Sequence, residues 1–141
     1  MTLEEFYVRQ LRLLDDGAVE EWADTFTAGA VFTQHAPAGR TFAGGAPAVR
    51  SGRVAIAAAL RAAVAKRAGS RVTRRYWLGM LRADGAGRTR WLAFNIETPV
   101  GGRPVLHNST GGEDLLVPAG DSWRVHRRTV VHDAAAPPTA G

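Results

Sequence analysis

His107 is the residue in this chain best suited to move a proton. An imidazole titrates near ~6.5, so one side chain can act as both acid and base at neutral pH. The run Leu106-His107-Asn108-Ser109-Thr110 reads as β-strand, and strand alternation puts His107 and Ser109 on one face. Asn95, in the strand before it, is placed to orient a substrate carbonyl; on the outer sheet face it would be an ordinary satisfied polar residue. His126 and His132 share a face of the last strand, opposite Arg127 and Thr129. Their six-residue separation is too wide for one metal ion, and no carboxylate pair completes a site, so no metal is expected. Glu113 and Asp114 are adjacent in a strand and face opposite sides, so they cannot form a dyad. One is expected to pair with Arg75, Arg127 or Arg128; if Asp114 faces inward it becomes the alternative base.

Other chemistries lack their residues. The chain has no cysteine, which removes disulfides, thiolate metal sites and thiol nucleophiles. It contains no phosphate-binding Gly-rich loop and no Gly-x-Ser-x-Gly elbow, and the Ser109–His107 pair lacks a third member for a hydrolase triad. The formal charge is +5, but 17 of the 18 basic residues are Arg, spread from Arg9 to Arg128. That spread points to genomic bias and sheet-face ion pairs, and no nucleic-acid partner is expected. No apolar run reaches the ~20 residues that span a bilayer, and Met1-Thr2-Leu3-Glu4-Glu5 is too acidic for a signal peptide. No membrane partner and a cytoplasmic location are expected.

The elements that must position these groups fall into two halves. Thr2 and Glu5 form a capping box for a first helix, on which Tyr7, Gln10 and Leu14 share a face. Gly17 interrupts. A second helix over residues 18–26 aligns Val19, Trp22 and Phe26, and a short strand over 30–36 carries Gln34 and His35. Residues 37–52 hold four Gly and two Pro and read as a loop, after which Ser51 caps an Ala-rich helix to about Arg67. Four long strands follow, over 71–83, 88–100, 103–117 and 123–133, joined by turns such as Asp84-Gly85-Ala86-Gly87. The expected fold is α+β: a curved antiparallel sheet wrapped as a cone-shaped barrel around three N-terminal helices, open at one end. One domain is expected over residues 1–133, with a disordered tail over 134–141.

Three motifs, Leu14-Asp15-Asp16-Gly17 with Trp22-Ala23-Asp24-Thr25-Phe26-Thr27, Gly52-Arg53-Val54-Ala55-Ile56, and the last strand from Trp123 to Asp133, occur in this order. On them the chain resembles the SnoaL-like group of the nuclear-transport-factor-2-like superfamily. Arg75-Tyr76-Trp77-Leu78-Gly79-Met80, Ile96-Glu97-Thr98-Pro99 and Leu106-His107-Asn108-Ser109-Thr110 are similar to tailoring proteins of aromatic polyketide, pyran-forming pathways. The resemblance implies a cofactor-independent cyclase, dehydratase or isomerase acting on an aromatic polyketide intermediate, as a homodimer. A non-catalytic accessory protein assisting a partner oxidoreductase is the other reading. It also implies that Tyr76 stands where relatives carry a His, and Gln34 where others carry a carboxylate base. Tyrosine, with a pKa near ~10, is a poor base but a good donor to a carbonyl or enolate; a half-buried strand aromatic is the alternative for Tyr76. His35, next to Gln34, should face away as a solvated loop residue. The expected catalytic residues are therefore His107 and Tyr76. Asn95, Ser109, Gln34, Tyr7, Trp22 and Met80 are expected to bind substrate, although most of the tryptophans should be core.

Overall fold

Thr2 opens the first helix as the capping box requires. Its hydroxyl accepts from the Glu5 amide while the Glu5 carboxylate accepts from the Thr2 amide. The computed structural model describes residues 1–37 and 47–135. Its elements run α1 (Leu3–Asp15), α2 (Val19–Ala23), β1 (Phe26–His35), β2 (Val49–Ser51), α3 (Arg53–Arg67), β3 (Val72–Ala83), β4 (Arg88–Pro99), β5 (Val105–Ala119) and β6 (Ser122–His132). The strands form one curved, unclosed sheet in the order β2-β1-β6-β5-β4-β3, with the helices against its inner face. This is the α+β cone.

The sheet departs from the expected meander at its N-terminal side. β1 runs parallel to β6, and the other neighbours are antiparallel. β1 begins at Phe26, where the sequence reading continued the second helix. Phe26 pairs with Val125 and is fully buried, so sheet pairing takes the residue that helical spacing claimed. Val49–Ser51, read as loop, pairs with β1 as a sixth strand. Ser51 therefore does not cap α3. Gly52 occupies that position at φ +91, and Arg53 donates to the Phe26 carbonyl at 2.9 Å. The expected loop from 37 to 52 lies largely outside the described residues, as does most of the expected tail.

Curvature comes from irregular pairing. The register slips between Gly79 and Arg82, between Asn95 and Ile96, and between Leu115 and Leu116. Each extra residue bends its strand and adds twist. The core lies between the curved sheet and the helices, built from Phe6, Trp22, Phe26, Ile56, Trp91 and Val125. Trp22 meets Phe26 edge-on with ring centroids 4.8 Å apart.

Trp91 lies across Gly112, its neighbour on β5, and a Cβ at Gly112 would overlap the indole ring. Gly112→Ala is therefore expected to destabilise the fold by about 1–3 kcal/mol through overpacking. Denaturant unfolding checks this, with Gly29→Ala as the comparison, since a Cβ there meets nothing.

Candidate functional site

The cone encloses a cavity of about 270 Å³, walled by Leu11, Leu14, Ile56, Leu60, Leu78 and Val130 and reached by a small number of polar groups. Those groups fall into two arrays. One forms the inner wall around Asp114, whose side chain is fully buried. Its Oδ2 accepts from the Tyr7 hydroxyl at 2.5 Å, from Trp91 Nε1 at 3.1 Å and from Arg128 Nη2 at 2.8 Å. Its Oδ1 accepts from Arg128 Nε at 2.8 Å. Arg128 Nη2 also donates to Gln10 Oε1 at 2.8 Å, and Gln10 Nε2 donates to Thr25 Oγ1 at 2.7 Å. The array joins α1 to β4, β5 and β6.

Asp114 faces inward, the condition under which it was the alternative base. Its oxygens accept four hydrogen bonds, however, and it is absent from the cavity lining. It anchors rather than exchanges. Tyr7 does line the cavity, and burial first, then the Asp114 charge, pushes its phenol well above the ordinary 10.0, against the opposing Arg128 charge. It stays protonated and donates. Burial works to lower the Arg128 value, but the adjoining Asp114 carboxylate raises it further, so this cation is permanent.

The second array lies on β1, β2 and β6. Arg50 Nη2 donates to Gln34 Oε1 at 3.0 Å, Arg50 Nε donates to the Pro47 carbonyl, and the guanidinium sits 5.0 Å from the Phe32 ring centre. Burial pulls the Arg50 value below that of a free guanidinium. Since Arg50 can only donate, it fixes the Gln34 oxygen and turns the amide nitrogen to His132, whose Nε2 is 2.7 Å away. Gln34 therefore donates into the His132 Nε2 lone pair, and the imidazole carries its proton on Nδ1. A third polar group is Asn95 on β4. It is 4% exposed and lines the cavity, and its Oδ1 has no hydrogen-bond partner. A buried acceptor left this way is costly, by about 1–3 kcal/mol, unless something supplies a donor.

The structure brings together Tyr76, Asn95, Gln34, Tyr7 and Trp22 in the cavity lining, and leaves out His107, Ser109 and Met80. Tyr76, Asn95 and Asn108 are aligned across β3, β4 and β5, so Asn108 takes the inward position that alternation assigned to His107. Asn108 and Thr110 alternate inward, so Ser109 and His107 fall on the outward side. Asn95 pairs with Asn108 and Ile96 with Leu106, which leaves His107 as the extra residue of a bulge. His107 sits 3.7 Å from Glu97, which is ion-paired with Arg74. Ser109 is exposed and bonds to Asp133. Met80, 74% exposed with φ +54, is turned outward by the bulge in β3. His132 and Arg50 are what sequence reasoning missed. The spacing of His126 and His132 was judged only as a metal site, and Arg50 fell in the stretch read as loop. His126 is the outward one of that pair, its Nδ1 2.9 Å from Thr27 Oγ1. Among the described residues no group of three His, Asp or Glu side chains could hold a metal ion, and no helix is long and apolar enough to cross a membrane.

This cavity-bearing cone places the chain among known proteins. Residues 2–129 match the SnoaL-like domain, and the chain belongs to that family. A Catenulispora acidiphila structure solved in complex with S-DNPA is similar at 29% identity, covering 93% of this chain and 90% of that one, with a TM-score of 0.70. Aln2 from a Streptomyces species is similar at 25% identity over 93% of this chain and 88% of that one, with a TM-score of 0.74. ActVI-ORFA from Streptomyces coelicolor shares the fold at 21% identity, covering 93% and 92%, with a TM-score of 0.77. No curated protein sequence matches the chain.

The raised Tyr7 value has a defined pH signature. The folded chain holds this proton more tightly than the unfolded chain, so the stabilisation is full below pH ~10 and is lost as pH climbs through the folded value. Thermal unfolding between about pH 8 and pH 11 is expected to show falling stability at the alkaline end. Tyr7→Phe should flatten that decline while costing about 1–2 kcal/mol at pH 8 through the lost hydrogen bonds. An unchanged alkaline slope in the variant would mean that Tyr7 ionises as freely as in the unfolded chain.

Proposed function

We infer that the chain is a cofactor-independent tailoring enzyme of the cyclase, dehydratase or isomerase type, acting in the cytoplasm on an aromatic polyketide intermediate. The observation that carries this reading is the buried, partnerless oxygen of Asn95, a residue of the cavity lining. It is matched to a hydroxyl or enol on a flat apolar molecule, whose donor would complete it. His132 moves the proton, since it is the imidazole that lines the cavity. Gln34 holds its Nε2 lone pair until a substrate hydroxyl takes the place of the Gln34 amide. That hydroxyl can then pass its proton to the ring. Tyr76 donates to the oxygen that gains charge, and Asn108 lies beside it. Family membership and the S-DNPA complex of the Catenulispora relative support a small-molecule ligand.

The alternative, an accessory protein that binds the intermediate for a partner oxidoreductase, is favoured by one observation. Among the described residues the cavity lining contains no carboxylate that could serve as a second acid–base group beside the imidazole. A homodimer belongs to either reading, through the outer sheet face where Trp77 (58% exposed) stacks on Phe94 beside exposed Leu92.

The purified chain mixed with an aromatic polyketide intermediate, without added cofactor, separates the two. Product formation is expected, with kcat lowered at least ~100-fold in His132→Ala. Asn95→Leu is expected to weaken substrate binding about tenfold, as the acceptor is lost. Saturable binding with no product would establish the accessory role. A larger loss in His107→Ala than in His132→Ala would return the proton to His107.

A further inference from the structure

The outer face of the sheet carries a second recess, of about 600 Å³, on the opposite side of the inner wall from the cavity. Arg82, Arg88, Arg90 and Arg127 surround it, with Asp84 and Glu113. Register puts these arginines together. Arg82 and Arg90 are direct cross-strand partners, and Arg88 and Arg127 both pair with Leu115 from either side. Like charges directly opposite are destabilising, at a separation of roughly 5 Å. Arg88 and Arg127 are two strands apart, roughly 10 Å, a gap that two long side chains close readily.

The local acids do not neutralise this group. Glu113 pairs with Arg90 at 2.7 Å. Asp84 Oδ1 accepts from the amides of Ala86 and Arg88, which holds it to its turn. Asp114 also borders the recess but is spent on Arg128. Among the described residues Arg82, Arg88 and Arg127 have no ion-pair partner. Three planar, permanently charged forks line one concave surface, and such forks are the donors that phosphate oxygens accept bidentately.

We propose that this recess is a binding site for a phosphate-bearing anion, separate from the cavity. Its repulsion is relieved when the anion's oxygens bridge Arg82, Arg88 and Arg127. The site rests on the recess and on the outer-face register, and is independent of the reaction assigned to the cavity.

Calorimetric titration of the full chain with inorganic pyrophosphate, in roughly physiological salt, tests it. Saturable binding at one site per chain is expected, weakened about tenfold in each of Arg82→Ala and Arg127→Ala. Arg61→Ala, an exposed arginine on α3 paired with Glu20, should leave it unchanged. The substituted side chains are exposed, and unfolding curves of the variants confirm that the fold is kept. An equal loss in Arg61→Ala would reduce the effect to net charge and overturn the site, as would the absence of saturation. Binding of an oligo-aspartate peptide but not of pyrophosphate would overturn it in favour of an acidic protein surface.

Discussion

The ion pair between Asp114 and Arg128 is the constraint on which the rest of the interior depends. Two opposite charges with almost no solvent contact are tolerable only if their remaining hydrogen-bonding capacity is met. Tyr7 and Trp91 complete the carboxylate, and Gln10 completes the guanidinium. Arg128 also lies 5.3 Å from the Phe26 ring centre and 5.4 Å from that of Trp91. These partners come from α1, β1, β4, β5 and β6, so one pair fixes the distance between the first helix and the middle of the sheet. Removing either charge would strand the other, at a cost of about 3–5 kcal/mol. The cavity exists because this wall cannot collapse inward.

That arrangement divides the polar groups by availability. Around Asp114 both carboxylate oxygens are satisfied, and Tyr7 is pushed away from ionisation. Across the cavity, Asn95 has an unspent acceptor, and His132 is bonded through an amide that a ligand hydroxyl can replace. Rigidity is concentrated on one side and exchangeable chemistry on the other. A substrate held between them would meet fixed geometry at one end and a movable proton at the other.

Much of the fold was legible in the sequence, and the reasons differ by element. The capping box of Thr2 and Glu5, the Ala-rich helix and the four long strands are local patterns, set by neighbours within a few residues. Phe26 and Val49–Ser51 were misread because their partners lie far along the chain: Val125 for Phe26, and β1 for the short strand. The site was legible in part. Tyr7, Trp22, Gln34, Tyr76 and Asn95 reach the cavity as their elements suggest, whereas His107, Ser109 and Met80 do not. His107 and Ser109 fall on the outward phase of the β5 alternation, and Met80 is turned out by the β3 bulge, which leaves no mark in composition. The pairing of Gln34 with His132 depends on β1 lying parallel to β6. An antiparallel reading of the sheet could not anticipate it.

β3 is the last strand of the sheet, and its outward edge has been closed off at two points. The Asp15 carboxylate at the end of α1 accepts the Tyr76 amide at 3.1 Å, and burial raises the Asp15 value despite that bond. A few residues on, the left-handed backbone at Met80 breaks the strand's regular repeat. A strand from another molecule arriving at this rim would find one rung of the ladder occupied and the next out of step. The β3 rim thus resists edge-on polymerisation, while Trp77 and Phe94 stay exposed on the sheet's outer face.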